Sequence, residues 1–401
     1  MAPTALVARP VSFADIPRPC WERLLAATPA ATPFARWTFH RAWWDAYGDT
    51  AHEQYLACVP ADSRADRVDW ELVRAIVPLM HRHEVEPQDI VNKTVLRERD
   101  GGETSRTVPP DAKAVFFGAS YHADYATILA APADLEAVSA ATAQALAQPP
   151  DPAHGSQSWD AVDLRRLRVA DPLLPALELA LSAADSSWHV SREQEDVCPV
   201  ISASSGDWDE YLGSLDKKDR HEIRRKQRRA AVVGDLSIEI SPPTQEAIAS
   251  FAELHTLRFG ERGLFPAGAG GKRSRRFIDR LGELERESVD GGQLHVGLVR
   301  CGTRLVWAML AFDDGETCYL YNAGMDPEAR EVSPGITGTA EYLRNRLASG
   351  RRRFDFLRGD EPYKYEWGAK DEPIERLLVQ RTVVPEGVAA AAQGAAAPEG
   401  R

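Results

Sequence analysis

The clearest periodicity lies in the second half of the chain. Between Lys217 and Val233, Ile223, Gln227 and Ala230 make one narrow stripe at helical spacing and basic side chains cover most of the rest. That pattern predicts a surface helix, closed by Gly234. Ile336, Ala340, Leu343 and Leu347 also recur three or four apart, predicting a helix opened by Ser333-Pro334 and stopped by Gly350. Gln293–Arg300 and Arg304–Phe312 read as strands joined by a Cys301-Gly302-Thr303 turn, and Asp313-Asp314-Gly315 leads into a third strand, Thr317–Ala323. A short strand at Leu236–Ile240, helices near Gln245–Arg262 and Lys272–Ser288, and strands at Arg353–Leu357 and Ile374–Thr382 complete this half.

The first half repeats the outline more faintly. Phe39–Tyr47, Leu135–Ala147 and Leu173–Leu181 predict helices, and Leu72–Met80, Val115–Gly118, Tyr125–Leu129 and Trp159–Leu164 predict strands. The order implies a mixed α/β (α+β) protein of two similar halves, divided near Ser187–Ser205, with a mostly antiparallel sheet flanked by helices in each. Domains of residues 1–190 and 191–384 follow. The Ala/Gly-rich stretch 385–401 reads as a disordered tail, and Arg97–Asp111 as a mobile surface excursion.

Length and charge narrow the picture. A chain of 401 residues with 44% hydrophobic content can bury two cores. Its net charge of -12 argues against a surface given over wholly to nucleic acid. The five scattered cysteines lack metal-ligand or disulfide spacing, and no leader or membrane-spanning run stands out, so a cytoplasmic protein without a metal is expected. His81-Arg82-His83 reads as surface.

Three stretches carry candidate chemistry. Ser333 suits a helix N-cap, and the amides of Gly335, Ile336 and Thr337 would face either water, as in an ordinary capped helix, or an anion there. In Phe354-Asp355-Phe356, the alternation sends Asp355 to the face opposite the phenylalanines, and Arg358, Asp360, Tyr363, Lys364, Tyr365 and Trp367 follow within a dozen residues. These could bind a polar substrate and wall its pocket. Thr317, Tyr319 and Tyr321 share a strand face, and the basic helix with Arg224 and Arg225 must meet water or an anion.

Together, Trp208-Asp209-Glu210-Tyr211-Leu212 running into Arg220, Arg224 and Arg225, the run Tyr319–Pro327, Ser333-Pro334-Gly335, and Phe354–Asp360 with Tyr363-Lys364 and Trp367 resemble the GNAT-type acyltransferases of the Fem-like and CelD-type group. The resemblance spans about Asp196 to Val383. Trp37, His40–Trp44, Pro78–Met80 and Tyr121–Pro132 extend it in outline to the first half. It implies two tandem GNAT-like domains and N-acyl transfer from acetyl-CoA, or another acyl-CoA, to an amine of a small-molecule or cell-envelope precursor acceptor. Ser333, Gly335, Ile336 and Thr337 would hold the pyrophosphate, although the loop has one glycine where the common GNAT loop has more. By side-chain chemistry and strand-end position, Asp355 or Asp360 would act as base or acceptor clamp, Tyr321 or Tyr365 as thiolate acid, and Lys364 with Arg358 would bind an anionic part of the acceptor. Alternatives are a Fem-like transferase with an aminoacyl-tRNA donor, and an inactive GNAT-fold binding module working through the basic helix.

Overall fold

The computed structural model describes residues 5–63, 67–82, 113–148, 159–289 and 291–381. In chain order the strands are β1 (Leu6–Pro10), β2 (Ala51–Glu53), β3 (Leu56–Pro60), β4 (Ala75–Val77), β5 (Leu79–Arg82), β6 (Ala114–Phe117), β7 (Leu129–Ala130), β8 (Ala161–Arg168), β9 (Trp188–Ser202), β10 (Leu236–Ser241), β11 (Leu294–Cys301), β12 (Arg304–Asp313), β13 (Thr317–Met325), β14 (Arg353–Asp355) and β15 (Lys370–Arg381). The helices are α1 (Arg18–Ala26), α2 (Trp37–Tyr47), α3 (Leu135–Ala147), α4 (Leu173–Ala184), α5 (Trp208–Ser214), α6 (Lys217–Val233), α7 (Gln245–Phe259), α8 (Ala269–Arg286), α9 (Pro334–Ala348) and the single turn α10 (Pro362–Tyr365). The predicted excursion at Arg97–Asp111 and the tail 385–401 lie outside the described residues.

Among the described residues, eleven strands form one sheet in the order β10-β11-β12-β13-β14-β9-β15-β8-β6-β5-β2, and β1-β3-β4-β7 form a smaller second sheet. Each half contains one parallel pair joined through a helix: β6 with β8 across α3, and β13 with β14 across α9. Otherwise the pairings are antiparallel, so this is a mixed α/β architecture with sheets flanked by helices.

The halves are not separate bodies joined by a linker. β9 spans the expected 190/191 boundary, and β15 enters the middle of the large sheet between β9 and β8. Arg376 of β15 clasps the buried Asp163 of β8 at 2.6 and 2.9 Å. One hydrophobic core unites Phe34, Phe39, Trp43 and Tyr47 with Phe251, Phe277, Phe312 and Tyr321. Across the same seam Arg36 pairs with buried Glu285 at 3.2 Å, and Thr38 bonds that carboxylate too.

The sequence pattern located most of the second half to within a few residues. The predicted Leu72–Met80 strand divides at Pro78, which cannot donate to a ladder; β4 before it joins the small sheet, and β5 after it joins the large one. Tyr125–Leu129 is largely loop, with only Leu129–Ala130 extended as β7.

Candidate active site

The large sheet opens between β13 and β14. Their parallel pairing covers only Thr317↔Arg353, Cys318↔Phe354 and Tyr319↔Asp355, while β13 runs on to Met325. Beyond Asp355 the chain stays with β9 instead: Phe356 N donates to Pro199 O at 3.0 Å and Gly359 N to Val197 O at 2.9 Å. Leu357 (φ 59°) and Gly359 (φ 107°) turn the backbone away from β13. On its other side β13 carries a bulge, since Leu310 pairs with Asn322 but Ala311 with Leu320, leaving Tyr321 as the extra residue. The result is a wedge-shaped gap with a bulged strand along one edge.

Lys364 holds this wedge open. Its buried ammonium donates to the carbonyl oxygens of Leu357, Arg358 and Gly359 at 3.0, 2.9 and 3.0 Å, and pairs with Glu361 at 2.9 Å. With its three protons committed to backbone acceptors, Lys364 is a staple of the loop and not the group for an anionic part of the acceptor expected from sequence. Trp367 is likewise core: it is buried with Phe354 and Phe356, and its carbonyl accepts from Tyr211 Oη at 2.7 Å. Tyr363 is half exposed on the turn α10.

Asp355 stands at the vertex, fully inside the protein. It accepts from Tyr125 Oη at 2.7 Å and from the Leu357 amide at 2.7 Å. Burial pushes its carboxyl up to about 6, with both hydrogen bonds opposing that rise. Asp360 is buried farther along the same loop. Arg358 reaches Asp124 at 3.3 Å. Tyr125 and Asp124 both belong to a first-half loop, Ala119–Tyr125, that follows β6 and lies across the wedge.

That loop also takes up Tyr321. The Tyr321 hydroxyl donates to His122 O at 2.9 Å and lies 3.2 Å from His122 Nδ1. His122 Nε2 is in turn 2.9 Å from Tyr47 Oη, which meets Ser274 Oγ at 2.9 Å. With its proton directed to a carbonyl, Tyr321 braces the two halves and is turned away from the role of thiolate acid. Tyr365 donates to Asp371 at 2.7 Å, near the protein surface and away from this network.

The amino end of α9 follows the far end of β13. Ser333 occupies the cap position but in the left-handed region (φ 52°, ψ 60°), so its side chain makes no cap bond, contrary to the sequence expectation. Its carbonyl accepts from both Ile336 N (3.0 Å) and Thr337 N (3.1 Å), and Thr337 Oγ1 turns back to Val332 O. Thr337 stands four residues beyond Ser333, so its amide closes the first turn of the helix. Of the expected anion donors, this leaves Gly335 at the open end, with exposed Arg330 on the preceding turn. Arg224 and Arg225 are remote from Asp355's contacts, tied to Asp209 and Glu222 on the outer surface.

Among the described residues no group of His, Cys, Asp and Glu could hold a metal, and the five cysteines are free and buried. His81 bonds Ala114 O at 2.9 Å, and His83 lies outside the described residues. No helix among the described residues is long and apolar enough to cross a membrane.

Residues 217–365 match the family model described as an acetyltransferase (GNAT) domain. The match runs from the first residue of α6 to the last of α10, enclosing the whole wedge. Curated proteins offer no match to the sequence. Among solved structures, FemX is similar over 96% of this chain and 99% of its own at 12% identity, with a TM-score of 0.55. A conserved protein of unknown function from Bacteroides thetaiotaomicron VPI-5482 is similar over 93% and 99% at 12% identity, with a TM-score of 0.50. At such identities the likeness concerns the fold alone, and it spans both halves. A CelD-type kinship is not among these findings.

The residues that sequence reasoning missed are His122, Asp124 and Tyr125. Tyr121–Pro132 resembled the family in outline, but nothing in its local pattern points to a β14 carboxylate 230 positions away.

Proposed function

We propose that the chain is an N-acyltransferase that moves an acyl group, acetyl in the simplest case, from a coenzyme A thioester to an amine. The carrying observation is the wedge: among the described residues β13 has no strand partner on its β14 side beyond Tyr319, and Asp355 waits at the vertex with a carboxyl pushed up to about 6. An extended pantetheine arm, with its two amides, suits the backbone groups of that edge as an added strand would. The GNAT match over the same residues supports the reading. Gly335 and Arg330 at the opening of α9 suit the pyrophosphate.

In the reaction the acceptor nitrogen attacks the thioester carbonyl, a C–N bond forms, the C–S bond breaks and the sulfur leaves as thiolate. Asp355 takes the ammonium proton before or during attack, and the bulged strand offers backbone N–H groups to the developing oxyanion. A panel of amines, including amino sugars, polyamines and cell-envelope precursors, assayed for free thiol release from acetyl-CoA tests this. Release that depends on one amine class and disappears in Asp355→Asn supports it; absence of acetyl-CoA binding by thermal shift overturns it.

A further inference from the structure

Helix α6 is the largest charged feature outside the wedge. It carries eight lysines and arginines against two carboxylates, within a chain of net charge -12. Its inner side is accounted for: Ile223 and Ala230 are buried in the core that holds Tyr342 and Leu343 of α9, and Gln227 bonds Glu341 at 3.4 Å. Some of the basic groups are also answered. Arg224 pairs with Asp209, Arg225 and Lys226 with Glu222, and Arg220 donates to Gly213 and Leu215 carbonyls. Lys217, Lys218, Arg228 and Arg229 are exposed with no ion-pair partner among the described residues. They fall with His221, Arg225 and Val232 on one outward stripe, about 22 Å long at 1.5 Å per residue.

Two details say what the stripe meets. It ends in exposed valines, Val232 at 88% and Val233 at 51%, so the surface combines cations with apolar contact as protein interfaces do. That end also adjoins the proposed donor entrance. Gly234, the cap of α6, abuts the Cys301-Gly302 turn, and Arg304 just beyond it pairs with Asp326 and Glu331 on the turn that opens α9.

Resting on the thioester-donor reading above, we propose that α6 docks an acidic acyl carrier protein, which presents the acyl group on its own phosphopantetheine arm. The stripe is longer than a nucleotide, and in a chain of net charge -12 it favours an acidic partner at this face and so directs its approach. The arm enters along β13; amine attack forms the C–N bond, breaks the C–S bond and leaves the thiolate on the carrier, with the proton passing to Asp355.

The test uses the full chain, a purified acidic acyl carrier protein in apo and acetyl-loaded forms, acetyl-CoA, and total tRNA. The loaded carrier should bind more tightly than the apo form, weaken as salt rises, and lose about tenfold or more in affinity to R228E/R229E, while R228K/R229K retains it. The same R228E/R229E protein should still be stabilised by acetyl-CoA, which shows it folded. Equal carrier binding by wild type and R228E/R229E overturns the proposal, as does a wild type that binds acetyl-CoA but not the carrier. Helix-dependent binding of tRNA without carrier assigns α6 to RNA instead. Loss of both carrier and acetyl-CoA binding overturns the donor reading itself.

Discussion

Asp355 couples reactivity to acidity through its burial. Its carboxyl titrates at about 6 in the folded protein, above the ordinary aspartate value of 3.8. Between these values the folded state holds more protons than the unfolded chain, so the residue favours folding at the acidic end and that contribution is lost as pH rises through about 6. Asp355→Asn should flatten the stability slope between pH 4 and 6 in denaturant titrations, and lower turnover about 10²- to 10⁴-fold. In the wild type the rate should climb through pH about 6 as the carboxylate forms. Tyr321→Phe makes the contrast: losing its contacts with His122 should cost about 1 kcal/mol of stability and leave turnover within a few-fold. The alternation of Phe354 and Phe356 was enough to set Asp355 apart in the sequence. Its partner was not legible, because Tyr125 meets it only through the tertiary path of a first-half loop.

At the scale of elements, the wedge depends on what keeps β14 short. Three carbonyls on a backbone leaving its sheet need donors, and one buried ammonium supplies them all. Lys364→Met should therefore destabilise the fold by about 3 kcal/mol or more, read by chemical denaturation. Sequence spacing showed a cation close to a strand end; a lysine that binds substrate and one that binds its own loop look alike until the carbonyl positions are known. Helices α6 and α9 were legible nearly to the residue, since each has an apolar stripe and a terminal glycine. Their seating is less forgiving than their pattern suggests. A Cβ on Gly338 of α9 would lie 2.3 Å from Trp307 Cγ. Gly338→Ala should cost about 1–3 kcal/mol and weaken acetyl-CoA stabilisation by shifting the helix opening.

At the scale of the molecule, the faint duplication seen in element order corresponds to two parallel-pair crossovers, in the shared sheet. What the order of elements could not reveal is that the halves share a core, since residues such as Phe34 and Phe312 carry no local mark of being partners. Residues 191–384 expressed alone should expose the face of α8 that α2 covers and the β12 and β13 rings that Phe34 meets, and should aggregate or fail to give a cooperative transition. The full chain should unfold in one calorimetric step, and two resolved steps would contradict a common core.

The position of β15 also has a consequence for how the protein is made. It pairs with β8, about 200 residues earlier, and supplies the centre of the sheet, yet it leaves the ribosome after every other described strand. Until then β8 and β9 remain open edges on an unfinished chain, and closing so distant a contact is slow. Nascent chains arrested before residue 370 should stay protease-sensitive through β8 and β9, becoming resistant only once β15 has emerged.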